Sequence, residues 1–462
     1  MLLFTLIITN FVVLEKIGCK MKRKIYNSLL AWKADSDRKP LILEGARQVG
    51  KTYILMEFGK CEYDNLIYIN CQNNSFMENL FTMDFDMERI LRDISAYAGQ
   101  GIVPGKTLIF FDEAQDAPRC VEALKYFCED AREQHVVVAG SLLGLLTHQN
   151  VSYPVGKVNT LQLYPMSFEE FLWAKSEDIL CGVLDELNWR SIMPLDNKLQ
   201  DLLRQYYYVG GMPEVVRSYV TDKDVLKVRQ IQNEILKNYN NDFSKHAGDE
   251  TQRIRMVWKS LPSQLAKENK KFIYGAVKKG ARAKDFEKAV QWLVDAGLVY
   301  KVSRCKSPSI PLPVYEDESA FKLFMLDVGL LGAMSGVPAR LMLINSDVFM
   351  AAKGAFTENY VLQQLLGVGD LYIYYFSKDN STQEIDFLVQ SGERVVPVEV
   401  KAEENVKSKS LRVFVCDDHK EQNLKAVRLS MKGYVDQEWM ENVPLYATTS
   451  FFKKIKHNSS IW

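Results

Sequence analysis

The sequence predicts a multidomain α/β protein whose first domain is an open parallel sheet that carries a phosphate-binding loop. Short apolar runs alternate there with longer amphipathic stretches, and the runs are nearly continuous in Val, Ile, Leu and Phe. Strands buried on both faces of a parallel sheet have this composition, and the helical patterns between them predict a βαβ series. The runs are LILE (41–44), NLIYIN (65–70), TLIFFDE (107–113), HVVVAGS (135–141) and VNTLQL (158–163).

Composition and charge are those of a folded protein with several domains and no net charge. The chain has 462 residues, too many for one hydrophobic core, so several domains are expected. Lys plus Arg and Asp plus Glu both number 58, so any attraction to nucleic acid or membrane has to come from a local patch. The 8 cysteines are scattered without a CxxC pair. This pattern is typical of reduced thiols in a cytoplasmic protein and excludes a disulfide framework or a zinc site.

The first 20 residues form a separate segment. MLLFTLIITNFVVL is apolar, but at 14 residues it is too short for a membrane span. No basic residue precedes it, so it lacks the positively charged region that begins a signal peptide. Met21 opens a basic helix, MKRKIYNSLLAWK. We interpret residues 1–20 as an extension from a start codon assigned too early, with a short membrane anchor as the alternative, and expect no stable membrane insertion.

The first apolar run leads directly into GARQVGKT, which matches G-x-x-x-x-G-K-[ST] at every fixed position, and TYILMEFGK continues as a helix. Strand, loop and helix in this order place backbone N–H groups and a helix N-terminus around a β-phosphate. Lys51 is predicted to reach the β- and γ-phosphates of ATP, and Thr52 to bind Mg²⁺. The predicted nucleotide-binding residues are Gly45, Ala46, Arg47, Gln48, Val49, Gly50, Lys51 and Thr52.

Two adjacent acids end the third apolar run, TLIFFDEA, at the carboxyl edge of the predicted sheet. Asp112 is predicted to hold the Mg²⁺ shell, and Glu113 to polarise the water that attacks the γ-phosphate. Ser141 ends the fourth run, where it would sense the γ-phosphate, although serines at strand ends usually form turns or caps. Arg47 and Lys157 are further candidates for stabilising charge.

At this point the chain resembles a known family, the bacterial and archaeal AAA-type ATPases that carry a C-terminal domain of unknown function. Six segments of this chain are similar to that family's recurrent motifs and occur in the same order. They are GARQVGKT, IFFDEAQDAP, AGSLLG, VGKVNTLQLYPMSFEEFL, YVGGMPEVV and FMLDVGLLG. Many relatives carry Arg where this chain has Lys157. The resemblance implies an AAA-like sheet with a helical lid, ATP and Mg²⁺ as cofactors, and no agreed biological task.

The alternation of strand and helix patterns ends after LYPMSFEEFLW. We divide the chain after residue 20 into four predicted regions. Residues 21–175 are predicted to form the ATPase core, 176–249 a helical lid, and 250–305 a winged-helix-like unit. Three prolines between 308 and 313 indicate a linker. Residues 306–462 are then predicted to form a nuclease-like α/β domain.

The segment EIDFLVQSGERVVPVEVKA (384–402) predicts a β-hairpin. With a two-residue turn at Ser391-Gly392, Asp386, Glu399 and Lys401 share the polar face. Two carboxylates beside a lysine resemble the D…E-x-K site of restriction-endonuclease-like nucleases, in which an acid on a preceding helix joins the metal. Glu358 is the fitting acid. The alternatives are an exposed hairpin face with ordinary charges, or a nuclease fold without activity.

Between Lys267 and Lys288 lie eight basic residues and three acidic ones. The order of helices and strand around them resembles a winged helix, so we expect this segment to contact DNA, unless it is simply a solvated helical face. The leading hypothesis is an ATP-driven switch that acts on nucleic acid through its nuclease-like C-terminal domain. The alternative is an ATP-gated protein–protein switch whose nuclease-like domain is inactive.

Overall fold

The computed structural model describes residues 21–141, 143–148, 154–267, 270–343, 350–379, 383–402 and 408–459. The chain forms two compact units that meet in sequence between Tyr164 and Pro165. The extension predicted for residues 1–20 lies outside the described residues. Within the described ranges, no helix is both long and apolar enough to cross a membrane.

The first unit is built on a parallel five-stranded sheet of order β2-β3-β4-β1-β5. All five strands coincide with the predicted apolar runs, which confirms the α/β fold class. Strands β3 and β4 are completely buried, whereas the edge strands β2 and β5 are partly exposed. The strands are β1 (Leu41–Glu44), β2 (Asn65–Asn70), β3 (Thr107–Asp112), β4 (His135–Ala139) and β5 (Asn159–Gln162).

Helices connect these strands and contribute apolar side chains to a shared core. The core joins Ile42, Ile109 and Val136 of the sheet to Ile90 and Leu124 of the helices, because each helix turns its apolar stripe toward the strands. The helices are α1 (Ile25–Ala34), α2 (Lys51–Glu62), α3 (Ser75–Leu80), α4 (Met87–Ala98) and α5 (Pro118–Asp130).

The second unit opens with a helical region, as the sequence predicts for 176–249. Its first helix, however, starts before the predicted boundary at residue 175. The amide of Phe168 donates to Gln364 Oε1 at 2.8 Å, so this segment packs within the second unit. The helices are α6 (Phe168–Ala174), α7 (Asp178–Glu186), α8 (Trp189–Ile192), α9 (Asp196–Val209), α10 (Pro213–Asp222), α11 (Val225–His246), α12 (Thr251–Leu265), α13 (Tyr274–Val277) and α14 (Ala283–Asp295).

An eight-stranded mixed sheet of order β12-β13-β11-β10-β9-β8-β6-β7 follows. The predicted boundary between 305 and 306 is wrong for this sheet. Arg304 of β6 pairs with Tyr375 of β8, and the proline-rich segment connects two strands that pair with each other. The strands are β6 (Val299–Cys305), β7 (Glu316–Met325), β8 (Tyr372–Ser377), β9 (Glu384–Ser391), β10 (Arg394–Val400), β11 (Ala426–Ser430), β12 (Val435–Gln437) and β13 (Met440–Pro444).

Five further helices accompany this sheet among the described residues. They are α15 (Val328–Met334), α16 (Ala339–Leu343), α17 (Met350–Leu366), α18 (Lys409–Arg412) and α19 (Thr448–Ser459). The sheet and α17 together position the charged residues that the sequence singles out in this half of the chain.

The β9–β10 hairpin forms, but with a different turn from the predicted one. Ser391 pairs with Arg394, so the turn residues are Gly392 and Glu393, and Gly392 has the positive φ of 54° that glycine tolerates best. The register is shifted by two residues from the prediction. A two-residue shift leaves every side chain on its predicted face.

Candidate functional site

The phosphate-binding loop lies between β1 and α2 with three residues at positive φ. Gly45 has φ of 144°, Gln48 of 67° and Gly50 of 97°. A Cβ on Gly45 would lie 2.3 Å from the carbonyl oxygen of Leu163, so only glycine fits beside the end of β5. Gly50 directly precedes α2, which points the N-terminus of that helix toward the loop, as phosphate binding requires.

Lys51 is buried and folds back over the loop. Its Nζ donates to the carbonyl oxygens of Gly45 at 2.7 Å and Ala46 at 2.8 Å. Burial lowers the pKa of Lys51 to about 8, Glu113 and Asp112 oppose that shift, and Arg47 adds to it. The ammonium is therefore held inside the loop by neutral acceptors, where an incoming phosphate would be a stronger partner.

Thr52 and Asp112 converge at the carboxyl edge of the sheet. The Thr52 hydroxyl donates to Asp112 Oδ2 at 2.8 Å, and the hydroxyl of Tyr68 on β2 donates to the same oxygen at 3.2 Å. Burial raises the pKa of Asp112, whereas the hydrogen bond from Thr52 opposes that rise. A hydroxyl and a carboxylate so close together fit Mg²⁺, which takes one or two protein oxygens beside nucleotide phosphates.

Glu113 follows Asp112 with a left-handed φ of 51°. Gln115 donates from Nε2 to Glu113 Oε2 at 2.6 Å. A Cβ on Gly140 would lie 2.4 Å from Gln115 Oε1, so the glycine after β4 leaves room for this contact. Sequence reasoning missed both Gln115 and Tyr68, since neither occupies a fixed position of a motif.

Ser141 is buried just beyond β4, the strand between β1 and β3. It therefore lies at the same sheet edge as the phosphate-binding loop. Lys157 does not. It precedes β5, whose first residue pairs with the first residue of β1, so Lys157 lies at the start of these strands. The loop follows the end of β1, and the four residues of that strand span about 13 Å. Lys157 instead pairs with Glu129 at 2.8 Å, so its predicted role at the phosphates is wrong.

Arg23 is a buried residue that the sequence analysis overlooked. It donates from Nη1 to the carbonyl oxygen of Val49 at 2.9 Å and from Nη2 to that of Tyr164 at 2.6 Å. One side chain thus ties the phosphate-binding loop to the segment after β5. The only sequence signal was a basic residue in a basic helix, which is ordinarily a surface pattern.

In the second unit the four predicted nuclease-like residues come together. Glu358 lies on α17, Asp386 on β9 and Glu399 on β10. Lys401 Nζ lies 2.9 Å from Glu399 Oε1, and the Val400 amide donates to Asp386 Oδ2 at 2.7 Å. Burial by itself would lower the pKa of Lys401. The neighbouring charge of Glu399 raises it above its usual value, and the charges of Asp386 and Glu358 add to that rise. Their role stays a prediction.

Two further lysines enter this group, and the sequence did not predict either. Lys322 of β7 is fully buried, with Nζ 2.5 Å from Glu384 Oε1 and 3.7 Å from Glu358 Oε2. Lys270 Nζ contacts the other oxygen of Glu358. Burial favours a low pKa for Lys322, but Glu358, Glu384 and Asp386 raise it above its usual value. The predicted site therefore contains its own cations.

The basic segment 267–288 is mostly exposed. Lys267 and Lys270 are partly buried, and the ammonium of Lys270 contacts Glu358. Residues 268 and 269, including the first acid of the segment, lie outside the described residues. The exposed basic residues are Lys271, Lys278, Lys279, Arg282, Lys284 and Lys288.

Three family models match the chain. An AAA domain matches residues 37–172, a domain of unknown function (DUF8612) matches 200–341, and another domain of unknown function (DUF4143) matches 353–449. Among curated proteins, an uncharacterized protein of Haemophilus influenzae is 23% identical over 184 residues. That match covers 38% of this chain and 40% of the relative, so it spans about two fifths of the relative's length.

Several solved structures resemble the chain at low identity. A Walker-type ATPase of Pyrococcus abyssi is 13% identical, with 68% of this chain and 96% of that chain covered and a TM-score of 0.43. The ORC2 protein of Aeropyrum pernix is 14% identical, with 72% and 91% covered and a TM-score of 0.32. A RuvB of Thermotoga maritima is 14% identical, with 62% and 90% covered and a TM-score of 0.31.

The family match and the geometry agree on the first part of the chain. The match spans the phosphate-binding loop, Asp112, Glu113 and Ser141. Residues 37–172 thus match an AAA domain and have the fold of AAA-type P-loop ATPases, and they are followed by regions that match two domains of unknown function.

Proposed function

We propose that this protein binds ATP with Mg²⁺ and hydrolyses it at the site formed by Lys51, Thr52, Asp112 and Glu113. The hydrogen bond between Thr52 and Asp112 carries the proposal, because it brings two oxygen ligands together beside the loop and the N-terminus of α2. A structural glycine turn has no need of a buried lysine and a buried carboxylate at its mouth, since burying charge is costly without a partner.

Each side chain has a distinct task in this reaction. Lys51 leaves the carbonyl oxygens of Gly45 and Ala46 and pairs with the β- and γ-phosphates. Thr52 and Asp112 would hold Mg²⁺, which neutralises phosphate charge when bound. Glu113 accepts a proton from the attacking water, and Gln115 orients that carboxylate through its 2.6 Å contact. Ser141 is the proposed sensor of the γ-phosphate.

The experiment is a comparison of Lys51→Ala with Lys60→Ala in the full chain. Both lysines lie on α2, but Lys60 is exposed in its last turn. Binding of a fluorescent ATP analogue and release of phosphate from ATP are measured for each. Loss of both signals in Lys51→Ala, with Lys60→Ala unchanged, is the expected result. Normal binding by Lys51→Ala would refute the site.

We further propose that ATP turnover drives a switch that acts on nucleic acid through the exposed part of the 267–288 segment. Six exposed basic residues support this, because phosphate contacts supply most nonspecific binding energy. Gel shifts with single- and double-stranded DNA in ATP, ADP and no nucleotide test it. Lys278→Glu/Lys279→Glu should weaken binding, while Lys237→Glu/Lys245→Glu, on exposed positions of α11, should not. Equal binding by both double variants would contradict the proposal.

A second candidate function is an ATP-gated protein–protein switch whose nuclease-like domain does not cleave. One observation favours it over cleavage, namely the ion pairs that Lys322 and Lys270 make with the carboxylates of that domain. The two candidates share the ATP site and differ in the partner. Absence of a DNA shift in all three nucleotide states, together with ATP hydrolysis, would favour the protein partner.

A further inference from the structure

A cluster of four carboxylates in the second unit is closed by lysines of the same chain. We call it the carboxylate cluster; it comprises Glu358, Glu384, Asp386 and Glu399. Lys322 bridges Glu384 and Glu358, Lys270 contacts Glu358, and Lys401 pairs with Glu399. Four acids therefore face three ammonium groups.

The position of Lys322 distinguishes it from an ordinary surface ion pair. Its side chain is 0% exposed and that of Glu358 is 4% exposed. Lys322 extends from β7, which pairs with β6 along most of its length, and its side chain is buried and has no contact with water. Its ammonium fills the space between carboxylates that approach from β9 and α17.

A divalent cation in a nuclease-like site needs carboxylate oxygens that are free to approach it within about 2.0–2.6 Å. Here the ammonium of Lys322 lies between Glu384 and Glu358, and that of Lys270 contacts the other oxygen of Glu358. A divalent cation in the same space would be repelled by both ammonium groups. With the three lysines in place, no three His, Cys, Asp or Glu side chains among the described residues are placed to hold a metal ion. The donor set therefore does not fit the metal that the nuclease resemblance implies.

We infer that Lys322 takes the place of the divalent cation in this chain, so that the carboxylate cluster is a metal-free ion-pair core. The second unit then does not cleave nucleic acid by a metal-dependent reaction. The inference also defines a latent site. Glu358 Oε2 and Glu399 Oε2 accept no hydrogen bond within the described part of the chain. Without the Lys322 ammonium, Glu358 Oε2 becomes an oxygen ligand beside Glu384 and Asp386.

Titration with Mn²⁺, followed by the loss of its free electron paramagnetic resonance signal, tests this on the full chain without nucleotide. All proteins carry Asp112→Asn, which removes the carboxylate that is proposed to hold Mg²⁺ at the ATP site. The chain with that change alone should bind no stoichiometric Mn²⁺. Lys322→Met in the same background should bind one equivalent, and adding Asp386→Asn should weaken that binding at least tenfold.

Two outcomes overturn the inference. Stoichiometric Mn²⁺ binding by the Asp112→Asn chain that Glu358→Gln abolishes would show that the cluster accepts a metal with Lys322 in place. A folded Lys322→Met variant that binds no Mn²⁺ would show that Lys322 is not what excludes it. The first measurement needs no change at Lys322, so it decides the matter even if Lys322→Met fails to fold. Neither depends on ATP hydrolysis.

Discussion

The hydroxyl of Thr52 donates to the carboxylate of Asp112 at 2.8 Å, although the residues are 60 positions apart. Thr52 starts from α2 and Asp112 ends β3, and β4 lies between the strands that lead to them. The parallel arrangement brings all these strand ends to one edge. The fold therefore brings together the two residues that are proposed to hold Mg²⁺.

Glu113→Gln should keep ATP binding and lose hydrolysis. An amide cannot take a proton from water, and removing a general base lowers a rate by about 100-fold or more. Phosphate release and binding of a fluorescent ATP analogue are measured in parallel. Glu133→Gln, at an exposed position before β4, serves as the control. Normal turnover by Glu113→Gln would remove Glu113 from its assigned role.

ATP binding should take up a proton near pH 8. Burial lowers the pKa of Lys51 to about 8, so the amine loses its charge as the pH rises past that value. Phosphates favour the ammonium and raise its pKa again in the complex. Affinity should therefore fall above pH 8 and vary little below pH 7.

Isothermal titration calorimetry at pH 8.5 and 6.5, in two buffers of different ionisation enthalpy, measures that proton. Uptake is expected at the higher pH and not at the lower one. In Lys51→Arg the side chain stays charged throughout, so any ATP binding that remains should show no uptake. Absence of uptake by the wild-type chain at pH 8.5 would contradict the assignment to Lys51.

Arg23→Met should weaken ATP binding without touching a predicted motif residue. It removes the contacts to the carbonyl oxygens of Val49 and Tyr164, and hydrogen bonds from a charged group are worth ~2 kcal/mol. The loop then loses its tie to the segment after β5, and we expect about a tenfold loss of affinity with little change in kcat. Arg92→Met, at an exposed position of α4, is the matched control. Unchanged affinity in Arg23→Met would show that the loop keeps its shape without this tie.

Asp386→Asn should reduce the pH dependence of stability. Burial, followed by the charge of Glu358, raises the pKa of Asp386 to about 7, well above its value in an unfolded chain. The folded state then binds the proton more tightly, so this contribution to stability is complete below about pH 4 and declines as the pH rises toward 7. Asn cannot titrate and keeps an acceptor for the Val400 amide.

The urea midpoints of wild type and Asp386→Asn are compared at pH 5 and pH 8. The variant should gain relative to wild type at the higher pH, by an amount on the order of a few kcal/mol. Asp417→Asn, at an exposed position of the same unit, should show no such gain. A wild-type advantage that grows with pH would mean that the sign of the shift is wrong.

Local patterns in the sequence were enough to predict the five strands of the first unit, the phosphate-binding loop and the inward and outward faces of the β9–β10 hairpin. Each of these depends on the periodicity of a few consecutive residues, which decides what is buried. The face of Asp386 was therefore predictable even though the turn was misplaced by one residue, because the shift in pairing was an even number.

The tertiary structure alone decided which charged side chains meet. Lys270 and Glu358 meet although they are 88 positions apart. Lys322 reaches the carboxylate cluster from another strand, and Lys157 lies at the edge of its sheet opposite the phosphate-binding loop. Arg23 looks in the sequence like any basic residue of a surface helix. A charged side chain carries no periodic signal of its partner, since the packing of distant segments determines which opposite charge it meets and whether water remains between them.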